Sequence, residues 1–131
     1  MSQNTDVLSR GFDAFTGGDT ETVMATFADD IRWEGPNSED LPGGGVHEGK
    51  EAVMQALGRI FESWESFSAT IDEFVEQGDA VVVLGHTEGR TRAGNDIKTP
   101  FVHIWRMRDG HGREVQVLSD TLEVARALEI A

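Results

Sequence analysis

Between Lys98 and Thr121 stand the one histidine and the one carboxylate that acid–base chemistry would most readily use here, His103 and Asp120. The segments KTPFVHIWRMR and REVQVLSDT are joined at Asp109, Gly110, His111 and Gly112. Asp-Gly between alternating residues predicts an antiparallel hairpin, because a tight turn demands the positive φ that these residues tolerate. With a side-chain period of 2, Phe101, His103, Trp105 and Met107 share one face, and Val102 and Ile104 the other. Both faces carry apolar residues. The strand is therefore expected to be covered by the protein's own helices on one side and by another layer or a partner subunit on the other. His103 then stands between two aromatics on a covered face. An unperturbed pKa near ~6.5 lets modest burial keep its ring neutral. Such a ring either orients Asp120 or faces a substrate carbonyl, or else it is a satisfied core histidine. Asp120, at the end of the last strand, also has two readings. A carboxylate pointing into an apolar cone would have a raised pKa and could move a proton to or from a carbon acid. Followed by Glu123 and the apolar Leu122, Val124, Ala125 and Leu128, it equally matches the D-x-x-E pattern of a helix N-cap.

Other chemistry has less support. Trp33, Phe101 and Trp105 are candidates for ligand contact or plain core, and His47, at a loop-to-helix junction, is either a pocket-rim residue or an exposed loop histidine. His86 and Glu88 share a strand face and His47 precedes Glu48, but neither makes a recognisable ligand set such as H-E-x-x-H, so no metal is expected. The chain has no cysteine, which removes disulfides and thiolate ligands, and no G-x-S-x-G. The triple glycine at Gly43 to Gly45 lies in neither G-x-G-x-x-G nor G-x-x-x-x-G-K-[ST], which argues against nucleotide binding.

The elements that must position these residues follow from periodicity. Leu8, Phe12 and Phe15 make one stripe of a helix over residues 5 to 16, ended by Gly17-Gly18. Asp19 is the predicted N-cap of a second short helix with Val23, Met24 and Phe27 as its stripe. Ile31 to Glu34 reads as a short strand stopped at Gly35-Pro36. Residues 35 to 48 carry no period and read as a loop, either a lid over a pocket or a surface loop. Val53, Leu57, Ile60, Phe61 and Trp64 then mark a long helix from Lys50 to Trp64. Phe67 to Gln77, Ala80 to Arg92 and the opening hairpin complete a four-stranded meander, with turns at Gly78-Asp79 and Gly94-Asn95. The order predicts an α+β fold, its N-terminal helices packed on a strongly curved, mainly antiparallel sheet, with an apolar concave interior that suits a small molecule.

The totals narrow the partners. At 131 residues the chain is read as one domain, 1–131. A net charge of −13, from 24 acids and 11 bases spread along the sequence, repels phosphate backbones and anionic membrane surfaces, so neither nucleic acid nor membrane is an expected partner. The longest apolar run, Ala80 to Leu84, falls far short of a membrane span of ~20 residues. The polar start SQNTDV resembles no export signal, which makes the cytoplasm the expected location.

In their order and spacing, AFTGGDTETVMATFADDIRWEGP, VHEGKEAVMQAL, DEFVEQGDAVVVLG, TPFVHIWRMRDG and SDTLEVARAL resemble the nuclear transport factor 2-like superfamily, and within it the SnoaL-like polyketide cyclases and ketosteroid-isomerase-related proteins. The resemblance implies a conical α+β barrel, a homodimer through the outer sheet face, and an apolar pocket whose chemistry differs among members. Ketosteroid isomerases use a tyrosine and a protonated carboxylic acid as donors, and this chain has no tyrosine. SnoaL-type cyclases are the nearer match, because they use an aspartate near the end of the last strand, at the place of Asp120. The expectation is cofactor-independent isomerase, cyclase or lyase chemistry on an apolar carbonyl compound, with Asp120 and His103 catalytic and Trp33, His47, Phe101 and Trp105 binding the ligand. The alternative is a non-catalytic ligand-binding or dimerisation module of the same fold.

Overall fold

The computed structural model describes residues 2–131. Helix α1 (Gln3–Gly17) starts with a capping box in which the Ser2 hydroxyl accepts from the Thr5 N–H and the Thr5 hydroxyl accepts from the Ser2 N–H, satisfying donors that a helix start leaves free. It buries Leu8, Gly11 and Ala14 and ends at Gly18, whose φ of 76° is the left-handed conformation a C-terminal glycine supplies. Asp19 caps α2 (Thr20–Ala25), as its position predicts. Strand β1 (Phe27–Glu34) begins four residues earlier than the sequence pattern marks, because the exposed Asp29 and Asp30 interrupt the alternation.

The segment 35 to 48 is not wholly irregular. Val46–Glu48 forms β2, antiparallel to β1 with Trp33 opposite His47. Helix α3 (Lys50–Ser63) follows, burying Val53, Ala56 and Leu57. Trp64, expected to end that helix, instead opens strand β3 (Trp64–Gln77). The meander continues through β4 (Ala80–Thr91), β5 (Asp96–Arg108) and β6 (His111–Ser119). Asp109 and Gly110 make the last turn with φ of 52° and 76°, the pair of positive values that a two-residue hairpin turn requires.

The sheet order is β2-β1-β6-β5-β4-β3, antiparallel except where β1 runs parallel to β6. Register shifts interrupt β3 against β4 between Ile71 and Glu73, and β5 against β6 between Arg106 and Met107, and such bulges bend and twist a sheet locally. The sheet curls around a core in which Leu8, Val53 and Leu57 of the helices meet Ile31, Val81, Val83, Trp105 and Val115 of the strands. Helix α4 (Thr121–Ala127) closes one end. It is fastened there by the Thr91 hydroxyl and the Asn95 amide, which both donate to the Ala127 carbonyl at 2.9 Å. The result is the strongly curved, mainly antiparallel sheet under N-terminal helices that the element order predicts, and the conical α+β barrel that the resemblance implies. No helix among the described residues is long and apolar enough to cross a membrane.

Candidate functional site

A cavity of about 160 Å³ lies between α1, α3, the 36–43 loop and the concave face of the sheet. Period-2 alternation along β5 places Thr99, Phe101, His103 and Trp105 on its wall. Phe12 and Phe15 of α1, Trp33 of β1, and Trp64 and Phe67 of β3 complete an aromatic lining. Two glycines make room for these rings. A Cβ on Gly85 would stand 2.5 Å from the Phe101 ring and 2.3 Å from the Thr70 carbonyl oxygen, and one on Gly112 would stand 2.5 Å from the Trp105 ring.

His103 sits in the middle of this wall. Its ring centroid lies 4.8 Å from that of Phe101, 5.2 Å from Phe12, 6.1 Å from Trp33 and 6.3 Å from Trp105. The side chain keeps some accessible surface on the cavity side, but it is removed from bulk water, and burial pushes its pKa down from 6.5 to about 3. The imidazole is therefore neutral near neutral pH. Two nitrogens are sealed in without a hydrogen-bond partner among the described residues, His103 Nδ1 and Trp105 Nε1; His103 Nε2 is not one of the sealed atoms. The remaining polar lining consists of hydroxyls, on Thr26, Thr87, Thr99 and Ser119, and no Asp, Glu, Lys or Arg is on the wall.

Trp33 does more than line the cavity. Its Nε1 donates to the Gly43 carbonyl at 3.0 Å, tying the 36–43 loop down as a roof through which Pro36, Leu41, Pro42 and Gly43 reach the cavity. His47 lies off the wall. Its Nε2 donates to the Gly44 carbonyl at 2.8 Å, so it holds the roof from outside.

The carboxylate of Asp120 does not point into the cone. It is exposed, and its Oδ1 accepts the Glu123 N–H at 3.1 Å as the N-cap of α4. The physical reason is position: Ser119 is the last residue of β6, and Asp120 belongs to the turn that leaves the sheet. The structure thus brings together Trp33, Phe101, His103 and Trp105, and leaves Asp120 and His47 outside. Sequence reasoning missed Thr99, although it shares the strand face of Phe101 and His103, and read Glu123 only as part of the helix cap, whereas its Oε2 also accepts the Thr99 hydroxyl at 3.2 Å. Among the described residues no cluster of His, Cys, Asp and Glu could hold a metal ion.

The profile of the SnoaL-like domain family matches residues 8–115. This chain belongs to the SnoaL-like domain family. Its structural neighbours share the fold. A nuclear transport factor 2-like protein of unknown function from Burkholderia pseudomallei is 29% identical, with 98% of each chain covered and a TM-score of 0.91. TerC, co-crystallised with polyporic acid, is 28% identical, with 98% of this SnoaL-like chain and 99% of TerC covered and a TM-score of 0.90. A protein assigned as a SnoaL-like polyketide cyclase from Jannaschia sp. shares the fold at 21% identity, 98% and 93% coverage and a TM-score of 0.84. No curated protein matches the chain.

Proposed function

We propose that this SnoaL-like protein takes a small, uncharged, apolar carbonyl compound into the cavity and acts on it without a cofactor, as an isomerase, cyclase or lyase. The observation that carries the reading is His103, a neutral imidazole without a hydrogen-bond partner in a wall otherwise made of aromatics and hydroxyls. A neutral imidazole has one N–H and one bare lone pair. An orphaned buried N–H is rarer in proteins than an under-satisfied acceptor. The hydrogen therefore belongs on Nε2, leaving the sealed Nδ1 as the lone pair. Nε2–H donates to the ligand's carbonyl oxygen and polarises it, and that contact stabilises the negative charge that builds on oxygen when an adjacent carbon gives up a proton to solvent water, the wall itself holding no carboxylate base. A wall without cations offers no counter-charge to a ligand carboxylate, so uncharged ligands are preferred. TerC, similar over its whole length, supports a small-molecule role through its co-crystal with polyporic acid. Two copies of the chain are read as pairing through the outer face of the sheet.

A specific observation favours the non-catalytic reading as the second. With Asp120 outside, the wall has no carboxylate to accept a proton. One experiment separates the two. The protein is incubated in heavy water with benzylideneacetone, an uncharged aryl ketone, and proton NMR follows exchange at the carbon beside the carbonyl while thermal shift reports binding. Ligand at about 100 times its Kd adds about 2.7 kcal/mol of stability, a shift of several degrees for a domain of this size. Binding with exchange that His103→Phe abolishes supports the enzyme. Binding without exchange supports the binding module, and no shift with any uncharged ketone overturns both.

A further inference from the structure

The wall has a second polar place, at the end closed by α4. Thr99 is 2% exposed and stands on the wall, directly opposite Thr87 in the β4–β5 register. Its hydroxyl donates to Glu123 Oε2 at 3.2 Å, and Glu123 is half-buried in the first turn of α4. A threonine hydroxyl has one hydrogen and two lone pairs. Because Glu123 takes the hydrogen, the oxygen of Thr99 has only lone pairs left for anything else.

We infer that Glu123, acting through Thr99, sets up an acceptor at the α4 end of the cavity that selects ligands bearing a hydroxyl group there. The inference rests on the reading of the cavity as a ligand site and deepens it, naming the substrate class as elongated hydroxy-ketones. Thr99 and His103 are four residues apart on one strand face, roughly 13 Å along the backbone. The carbonyl oxygen lies against His103, and the hydroxyl at the other end of the molecule donates to Thr99 Oγ1. A ligand whose far end carries an anion is rejected, because that end would meet a Thr99 oxygen with only lone pairs to offer, backed by the Glu123 carboxylate. Glu123 is a positioning residue here: it touches Thr99, and Thr99 touches the ligand.

Calorimetric titration with three compounds of one shape tests this: benzylideneacetone, its 4-hydroxyphenyl counterpart and its 4-methoxyphenyl counterpart. The parent ketone can reach His103 alone, the phenol can also donate to Thr99, and the ether can only accept. The expected result is about tenfold tighter binding of the phenol than of the parent, the size of one net hydrogen bond, and no gain for the ether. Thr99→Val removes the preference, Thr99→Ser keeps it, and Glu123→Ala reduces it several-fold, each read as the ratio of phenol to parent affinity within the same variant. A ratio of two affinities in one variant is insensitive to its overall stability, and the comparison within the wild type needs no variant to fold. Equal binding of parent and phenol, an equal gain from the ether, or a preference that survives Thr99→Val overturns the inference and leaves the ketone site standing. Failure of all three compounds to bind overturns both.

Discussion

At the scale of single residues, His103 is where burial and charge meet, and its environment predicts a pH dependence. In the unfolded chain its ring takes up a proton around its ordinary pKa of 6.5, whereas in the folded cavity it resists until about 3. The unfolded state therefore binds more protons across that interval, and stability rises with pH there. The contribution is complete above about pH 6.5 and is lost progressively as pH falls toward 3. Each pH unit within the window is worth about 1.4 kcal/mol, so at pH 5 the protein is expected to have lost about 2 kcal/mol relative to pH 7 through this group alone. His103→Phe keeps an aromatic ring of similar bulk and removes the titration. Denaturant unfolding of both proteins at pH 7 and pH 5 should give a smaller pH-dependent loss in the variant by that amount. Parallel losses would mean that the ring is protonated in the cavity, and the neutral donor assigned to it would fall with that result.

At the scale of elements, the ends of α4 and β6 decide what Asp120 does. Because its side chain accepts the Glu123 N–H and is exposed, Asp120→Ala removes an N-cap and is expected to cost about 1 kcal/mol of stability. Affinity for an uncharged ketone should stay within about twofold of wild type. A variant of undiminished stability that no longer binds or turns over ketone would return Asp120 to the cavity. The same element shows where sequence reasoning ends. Alternation along β5 correctly puts Phe101, His103 and Trp105 on one wall, because the period of a strand is fixed by backbone geometry. The D-x-x-E pattern also finds the cap. What periodicity cannot tell is where the chain leaves the sheet, and a single residue past Ser119 separates wall from surface. The segment from Gly35 to Gly49 was illegible for a different reason. Its path is set by glycines at positive φ, Gly43, Gly45 and Gly49, and by backbone bonds such as Gly45 N–H to the Pro36 carbonyl at 2.8 Å, none of which leaves a side-chain pattern. Hence the three-residue β2 emerges only from the fold, and of the two readings of this loop, lid or surface loop, only the fold selects the inward roof of Leu41 and Pro42.

At the scale of the whole molecule, the outer face of the sheet carries a second apolar surface. Val82 and Leu84 of β4 lie opposite Ile104 and Val102 of β5, Leu118 of β6 lies opposite Val102, and Val75 of β3 lies opposite Val82. Val75 and Leu118 are 50% and 47% exposed, and a contiguous apolar patch of this kind marks an interaction surface. Under the proposed pairing of two copies through this face, apolar burial holds them together while a charge of −13 on each pushes them apart. Salt shortens the reach of that repulsion from about 30 Å at 0.01 M to about 8 Å at 0.15 M. The dimer is therefore expected to tighten as salt is added, the opposite of an association built on ion pairs. Sedimentation velocity across that salt range measures it directly. Leu118→Glu, which sets a charge against Val102 in the middle of the patch, should yield a monomer at every salt concentration. Its ketone affinity should be unchanged, since Leu118 points away from the cavity wall that Val117 and Ser119 help to form. A wild type that stays monomeric, or a Leu118→Glu variant that still dimerises, would move the partner surface off this face.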